Sequence, residues 1–483
     1  MAPYLSDLAE SDSKAHPTGS SEFFFRLSCY FSEFHRKRHT YIVGASGSGK
    51  SAFALASLIH GYTRKAPHQF ATVFVIAPHG DLCEQVAGWK EFGKHPESLI
   101  YLSPKPGKGL YPTINPFDLR DRSDGNVDVI AQALAEAFWQ LLQGQGTNQM
   151  EAFLIPCITV LLKQEGSSLR DLMRFMNDEE NQDLVELGKK SSNAVHREFF
   201  QTAFYRDIYR GTKASIFSKL LKILGSSHFA HMATGNSTVD LESLLDSRKT
   251  VLINLAKGTV GEDTSEAFGR FIVSLIQGLI MKRNRIPEHA RIPVHLFIDE
   301  CHNYLSPSLG RILEEARKFG LHLTLAQQYI GQRMDTEFKR NIMANTAIKL
   351  AGKNDPKVLL DIAKTMNIDA SAFQRLKTGE FLVTCDTSPT YRLRLWPYLL
   401  GNNHASSAKE QERLKAFQNE KYHRNITPDS IDPTSPEVVS STPSEINPST
   451  AALVSPSPLK RRSPKPLYRR PQKLVPRPPI VSR

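Results

Sequence analysis

The sequence predicts an α/β protein: a mostly parallel sheet with helices on both faces, an all-α segment set inside it, and a disordered C-terminal tail. Three observations carry this reading. Short, continuously apolar runs alternate with helical patterns from about residue 36 to 120 and return from 250 onward. Strands buried on both faces read this way, without a polar alternation. From about 126 to 232 the apolar spacing is helical throughout. From 426 onward 13 prolines sit among serines and threonines, a composition too poor in apolar surface to fold.

The first strand, "HTYIV", runs into "GASGSGKS" and then the helical "SAFALASLIHGY". Gly44, Gly49, Lys50 and Ser51 fit the phosphate-binding loop G-x-x-x-x-G-K-[ST] with the required strand before and helix after. The stretch Gly44, Ala45, Ser46, Gly47, Ser48, Gly49 then lets several backbone N–H groups converge on one anion at a helix N-terminus. Lys50 is expected to reach the β- and γ-phosphates and Ser51 to hold Mg²⁺. "TVFVIAP" at 72–78 and "SLIYLSP" at 98–104 continue the sheet, separated by the helical "GDLCEQVAGWKEF". In the helical segment, "VDVIAQALAEAFWQLLQ", "MEAFLIPCITVLLKQ", "SLRDLMRFM" and "IFSKLLKIL" contain no convincing strand. Strands resume with "TVLINLAKG" at 250–258, "VHLFIDE" at 294–300 and "HLTLAQQ" at 322–328. "EFLVTCD" at 380–386 and "TYRLRLWPY" at 390–398 read as a closing hairpin.

The strand at 294–300 ends in Asp299 and Glu300. A phosphate-binding loop needs an acid at a strand end to orient the Mg²⁺ water shell, which assigns Asp299 to the metal side. Glu300 is placed to polarise an attacking water. Downstream, "RILEEARKFG" ends a helix in Arg317 and Lys318, where bases complement the helix dipole or, for Arg317, act as an arginine finger on a neighbouring subunit. "LTLAQQY" ends a strand in Gln327 and Gln328, where an amide can contact the γ-phosphate or its water.

The totals set bounds. A length of 483 residues is too long for one simple core and suggests two folded units plus tails. Five scattered cysteines, without C-x-x-C spacing, argue for a reducing compartment and against disulfides or a cysteine zinc site. No run approaches the ~18 apolar residues of a membrane span. The candidate "FGRFIVSLIQGLIMKR" carries Arg270 and Gln277 and reads as a buried helix, and the acidic, polar start "MAPYLSDLAESDSK" does not resemble a signal peptide. The net charge of +12 falls to +3 once the nine Lys and Arg of residues 459–483 are set aside, so the folded part is only mildly basic.

These residues in this order carry a resemblance. The run "FIDECHNYLSPSLGRILEEARKFGLHLTLAQQY" resembles the core of the HerA/FtsK superfamily, and within it the conjugation and type IV secretion coupling ATPases of the TraG/TraD kind. "APHGDL" (77–82) and "INPFDL" (114–119) resemble that family's D-P-x-G-[DE]-L and N-P-[LF] segments. "VLINLAKGTVGEDTSEAFGRFIVSLIQ" and "IMANTAIKLAGKNDPKVLLDIA" resemble the stretches before its acidic strand and after its sensor glutamine. The likeness spans roughly 36–400.

The resemblance implies a RecA-like P-loop NTPase domain in two parts, 36–125 and 236–401, with an all-α inserted subdomain at 126–235. A leading segment at 1–35 and a disordered, basic, Pro-rich tail at 402–483 complete the expected organisation. It implies ATP and Mg²⁺ as ligands, with Asp299 the Walker B acid, Glu300 the catalytic glutamate, Arg317 a trans arginine finger and Gln328 the sensor. It further implies a homo-hexameric ring that moves DNA, single- or double-stranded, or a protein–DNA complex such as relaxase-like cargo. Two departures stand out: Ala77 replaces the family's Asp in D-P-x-G, and the start of the chain lacks the usual membrane anchor. A cytoplasmic motor, or one recruited to the inner face of the membrane by a separate subunit, is therefore expected. Two other readings share the motif set: a viral-type genome-packaging ATPase, and a low-turnover ATP-binding adaptor, against which Glu300, Arg317 and Gln328 argue. The tail reads equally as a basic arm for nucleic acid, a Pro-rich ligand for a partner's aromatic groove, or a solubilising extension.

Overall fold

Alternate residues of the central strands feed two separate cores. In Thr72–Ala77, Phe74 and Ile76 join one apolar cluster while Val73, Val75 and Ala77 join another, and all are buried. Tyr41 and Val43 part from Ile42 in the same way. Strands with both parities buried must lie inside a sheet covered on each face. The computed structural model, which describes residues 31, 33–141, 148–305, 307–385, 389–395, 399–401 and 404–426, has that sheet.

Its strands are β1 (Thr40–Val43), β2 (Thr72–Ala77), β3 (Leu99–Leu102), β4 (Leu110–Tyr111), β5 (Thr250–Asn254), β6 (Val294–Ile298), β7 (Leu321–Gln327), β8 (Ile348–Gly352), β9 (Glu380–Cys385), β10 (Tyr391–Arg394) and β11 (Arg424–Asn425). Nine of them form one sheet in the order β10-β9-β8-β1-β7-β6-β2-β5-β3, and β4 pairs with β11 separately. From β8 to β3 every pairing is parallel. β9 runs antiparallel to β8 and β10, as the closing hairpin requires. Sequence patterning missed β8, "IKLAG", because Lys349 breaks its apolar run; the side chain is buried and its Nζ donates to the Thr346 carbonyl.

Between β4 and β5 the described residues hold helices and no strand. The helix Asp124–Leu141 lies along Glu262–Met281, the buried helix expected from "FGRFIVSLIQGLIMKR". They approach so closely that a Cβ on Gly278 would sit 2.2 Å from the Ala133 Cβ. Two folded units were expected, but the described residues belong to a single unit within Met1–Ser430. The physical reason is that Phe138, Phe153 and Phe271 of the helices share one apolar cluster with Phe74 and Leu296 of the sheet. No described helix is long and apolar enough to cross a membrane. Cys83, Cys157, Cys301 and Cys385 are buried and unbridged, whereas Cys29 lies outside the described residues.

The expected boundary of the tail at 402 is wrong. Ser407 and Glu410 form a capping box that opens a helix over Ala408–Tyr422. Leu414, Gln418 and Tyr422, four residues apart, are its buried face. The Gln418 side chain accepts from Tyr101 N at 2.8 Å and donates to Leu99 O at 2.8 Å, so one amide satisfies the open edge of β3 as a further strand would. The low apolar content of "AKEQERLKAFQNEKY" hid this helix from pattern reading. Residues 427–483, with the basic Pro-rich stretch, lie outside the described residues.

Gln418→Ala should leave the Tyr101 N–H buried without its acceptor and cost about 1–3 kcal/mol, read as a lower urea midpoint. An unchanged midpoint would show that the helix does not secure the sheet edge.

Candidate nucleotide-binding site

The exits of parallel strands are where an open α/β sheet builds its ligand crevice. Here β1, β7 and β6 are adjacent, so the loop after β1, the amides after β7 and the acids after β6 meet in one row. Val43, Gln327 and Ile298 end the three strands at that edge.

The loop 44–51 is held by its surroundings. Gly44 N donates to Gln327 O (3.3 Å) and Ala45 N to Lys353 O (2.9 Å). Ser48 O accepts from Gly379 N (2.9 Å), and Gly47 O accepts from Thr378 Oγ1 (3.0 Å). Gly49 has φ 96°, the left-handed region, and a Cβ there would meet the Phe53 ring at 2.8 Å. The following helix opens as a wide π turn over Lys50–Leu55, with Ala54 N reaching Gly49 O, before continuing as Ala56–Thr63. Such widened turns concentrate at functional positions.

Lys50 is buried, yet its ammonium makes one long hydrogen bond, to Ala45 O at 3.4 Å, and lies 3.9 Å from Glu300 Oε1. An ammonium has three donors, so spare donor capacity faces a site already lined with backbone amides. Ser48 Oγ is also buried without a hydrogen-bond partner among the described residues. A polyphosphate fits this donor-rich cradle.

Ser51 Oγ donates to Asp299 Oδ2 at 2.7 Å, bringing together the two residues expected to hold the metal. Their oxygens suit a hard cation such as Mg²⁺. Burial pushes the Asp299 carboxyl above its ordinary range, opposed by the Ser51 hydrogen bond and the Lys50 charge. Glu300 is also raised, by burial and then by the Asp299 charge, with Lys50 opposing. The Glu300 backbone sits at φ 46°, a strained conformation for a side chain of this size, and Glu300 N donates to Asp299 Oδ1 at 3.0 Å. The Gln328 side chain favours the charged form of the Glu300 carboxylate, whereas Gln327 is fully buried and serves Tyr41 Oη and Tyr329 O.

Three neighbours escaped the sequence reading. His302 Nδ1 lies 3.3 Å from Glu300 Oε2, and burial lowers its pKa to about 4, so it is neutral there at pH 7. Lys257 contributes positive charge to Glu300 from the exit of β5. Asn354 Nδ2 donates to Gln328 O at 2.7 Å from the exit of β8. Their shared signal is position, two to four residues past a parallel strand. Ala77, where an Asp was expected, is buried at the end of β2.

Arg317 is not brought to this row. It lies exposed in the turn Ala316–Phe319, just before β7, and its charge acts on His39 before β1. The seven residues of β7 separate it from Gln327, roughly 20 Å of strand. No carboxylate pairs with it among the described residues.

No family model matches the chain, and no curated protein matches it in sequence. Solved structures do match. The plasmid coupling protein TrwB bound to the non-hydrolysable GTP analogue GDPNP superposes with a TM-score of 0.55 at 16% identity, covering 78% of this chain and 89% of that one. TrwB with the ATP analogue ADPNP gives 0.54 at the same identity and coverage. Its unbound form, described as a bacterial conjugative coupling protein, gives 0.54 and covers 88% of that chain. This chain shares the TrwB fold. At 16% identity the likeness shows a shared fold, in keeping with the mostly parallel α/β sheet expected from the sequence.

Gly49→Val should clash with Phe53 and lose the left-handed turn, weakening binding of a fluorescent ATP analogue at least tenfold while far-UV circular dichroism stays unchanged. Equal affinity in the variant would mean that the loop does not cradle the phosphates.

Proposed function

We propose that this chain is an ATP-driven translocase of DNA, or of a protein–DNA complex, acting as a homo-hexameric ring on the cytoplasmic side of a membrane in a conjugation or type IV secretion setting. One observation carries the reading: Lys50, Ser51, Asp299, Glu300 and Gln328 gather at one edge of the sheet, while exposed Arg317 stands at the other. A site complete except for a trans-acting guanidinium is suited to a ring in which each pocket is shared by neighbours. The shared fold with TrwB, seen with ATP and GTP analogues, supports the same reading.

The residues divide the work as follows. The loop N–H groups and Lys50 hold the β- and γ-phosphates, fixing the γ-phosphorus against the Glu300 carboxylate. Ser51 and Asp299 would hold a Mg²⁺ ion, which supplies charge neutralisation on the phosphate oxygens. Glu300 takes the proton of the attacking water; its raised affinity for protons, set by burial beside Asp299, suits a base. Arg317 of an adjacent copy stabilises the charge that develops in the transition state. Gln328 touches Glu300 by its side chain and Asn354 through its carbonyl, so loss of the γ-phosphate alters contacts on both β7 and β8. Bistable loop contacts of this kind turn hydrolysis into displacement.

Glu300→Gln should retain ATP but lose turnover by at least about 100-fold, and Lys50→Ala should lose both. Arg317→Ala should slow turnover by about 1000-fold without weakening binding. Mixing Arg317→Ala with Lys50→Ala protein should restore part of the activity, because interfaces then pair an intact cradle with an intact arginine. The decisive measurement is ATPase rate and oligomer mass with and without single- and double-stranded DNA. A monomer whose rate ignores DNA, or mixed assemblies without recovery, would overturn the shared-site motor.

A further inference from the structure

A second constellation lies away from the nucleotide. His60, on the helix Ala56–Thr63, faces Glu91, on the short helix Lys90–Lys94, and His404, in the segment leading to the helix Ala408–Tyr422. Glu91 Oε1 lies 3.3 Å from His60 Nε2, and Glu91 Oε2 lies 3.0 Å from His404 Nε2. One ligand atom from each residue falls within 4.8 Å of the others. Both imidazoles are buried, and the Glu91 side chain is only 12% exposed.

We propose that His60, Glu91 and His404 bind a divalent transition-metal ion of the zinc class, and that this ion staples the C-terminal segment to the helix that follows the phosphate-binding loop. The donor set is two imidazoles and one carboxylate, which together with a water make a four-coordinate zinc site. Ligands about 2.1 Å from a tetrahedral ion stand about 3.4 Å apart. The two Nε2 atoms now approach different oxygens of Glu91, and a shared ion would replace these two hydrogen bonds with ligand atoms that already lie within 4.8 Å of one another. Burial works against the Glu91 carboxylate, but hydrogen bonds from His404 and His60 outweigh it and hold the group ionised, the form that binds a cation.

The backbone is built to keep the third ligand in place. Lys90 N donates to His404 O (3.1 Å), Ser406 N donates to Gly88 O (2.8 Å), and Ala405 bridges Trp89. A Cβ on Gly93 would stand 2.5 Å from the Ser406 Cβ, so the segment lies directly against the 88–93 turn. Trp89 is buried with its ring 5.1 Å from His60 and 6.1 Å from His404, which excludes bulk water and places a fluorophore beside the site. Three ligands drawn from segments more than 30 and 300 residues apart are what a structural ion joins in one step. The inference is independent of the motor reading, since none of its ligands touches the nucleotide row.

The test uses the full chain, stripped of metal and held in excess Mg²⁺ so that the Ser51–Asp299 oxygens are occupied. Titration with Co²⁺ should give about one equivalent of intense tetrahedral d–d absorption, displaced by Zn²⁺, with quenching of tryptophan emission. Glu91→Gln and His404→Gln should each weaken Zn²⁺ binding by at least about 100-fold, beyond the loss that follows removal of an outer partner. Zn²⁺ should raise the melting temperature of the wild-type chain and of Lys50→Ala, but not of the two ligand variants. Absence of tetrahedral Co²⁺ in the wild-type chain would overturn the site and leave a metal-free hydrogen-bonded cluster. Unchanged binding in both ligand variants would do the same.

Discussion

The contact between Ser51 Oγ and Asp299 Oδ2, 2.7 Å long, joins residues 248 positions apart, and the candidate site is arranged around it. Neither residue moves freely. Ser51 is held by a glycine turn tied to Lys353, Thr378 and Gly379, and Asp299 by the hydrogen bond from its amide to Ile76 O in β2. Burial makes Asp299 and Glu300 both hold protons more tightly than exposed carboxylates, and for Glu300 the Asp299 charge adds to it. The Lys50 charge opposes both shifts, and the Glu300 backbone is held in the left-handed region. Strain and charge are thus concentrated at one sheet edge, where bound phosphates and a cation would relieve the imbalance.

The sheet also separates two kinds of chemistry. At the strand exits lie the glycine-rich loop with Lys50, the acids Asp299 and Glu300, and Gln328; at the strand entries lie Arg317 and the buried histidines His39, His295 and His322. Burial lowers His39 to about 4 and His322 to about 2, so the entry edge gains no charge from them at pH 7. Arg317 and its neighbour Lys318 are the exposed cations of the turn on that side. A sheet buried on both faces is stiff, so the distance between the two edges is set by strand length and not by side-chain choice.

The C-terminal segment proves to be part of this architecture. Gln418 closes the β3 edge, as the antiparallel β9–β10 hairpin closes the other end of the sheet, and His404 completes a buried cluster beneath the helix from the phosphate loop. Both devices rely on polar groups satisfied in place, which a hydrophobic pattern does not register. That is also why β8 was missed through Lys349.

Local physics is written in the sequence wherever neighbours along the chain suffice. The glycine turn, the continuously apolar strands, the helical insertion and the acidic pair after β6 follow from residues a few positions apart, because backbone freedom and side-chain burial act at that range. Which strands lie side by side, that Gln328 and not Gln327 meets Glu300, that Arg317 stands roughly 20 Å from its own chain's pocket, and that His60, Glu91 and His404 converge were decided by tertiary structure. Those contacts join segments up to hundreds of residues apart, and no local pattern encodes the packing that brings them together.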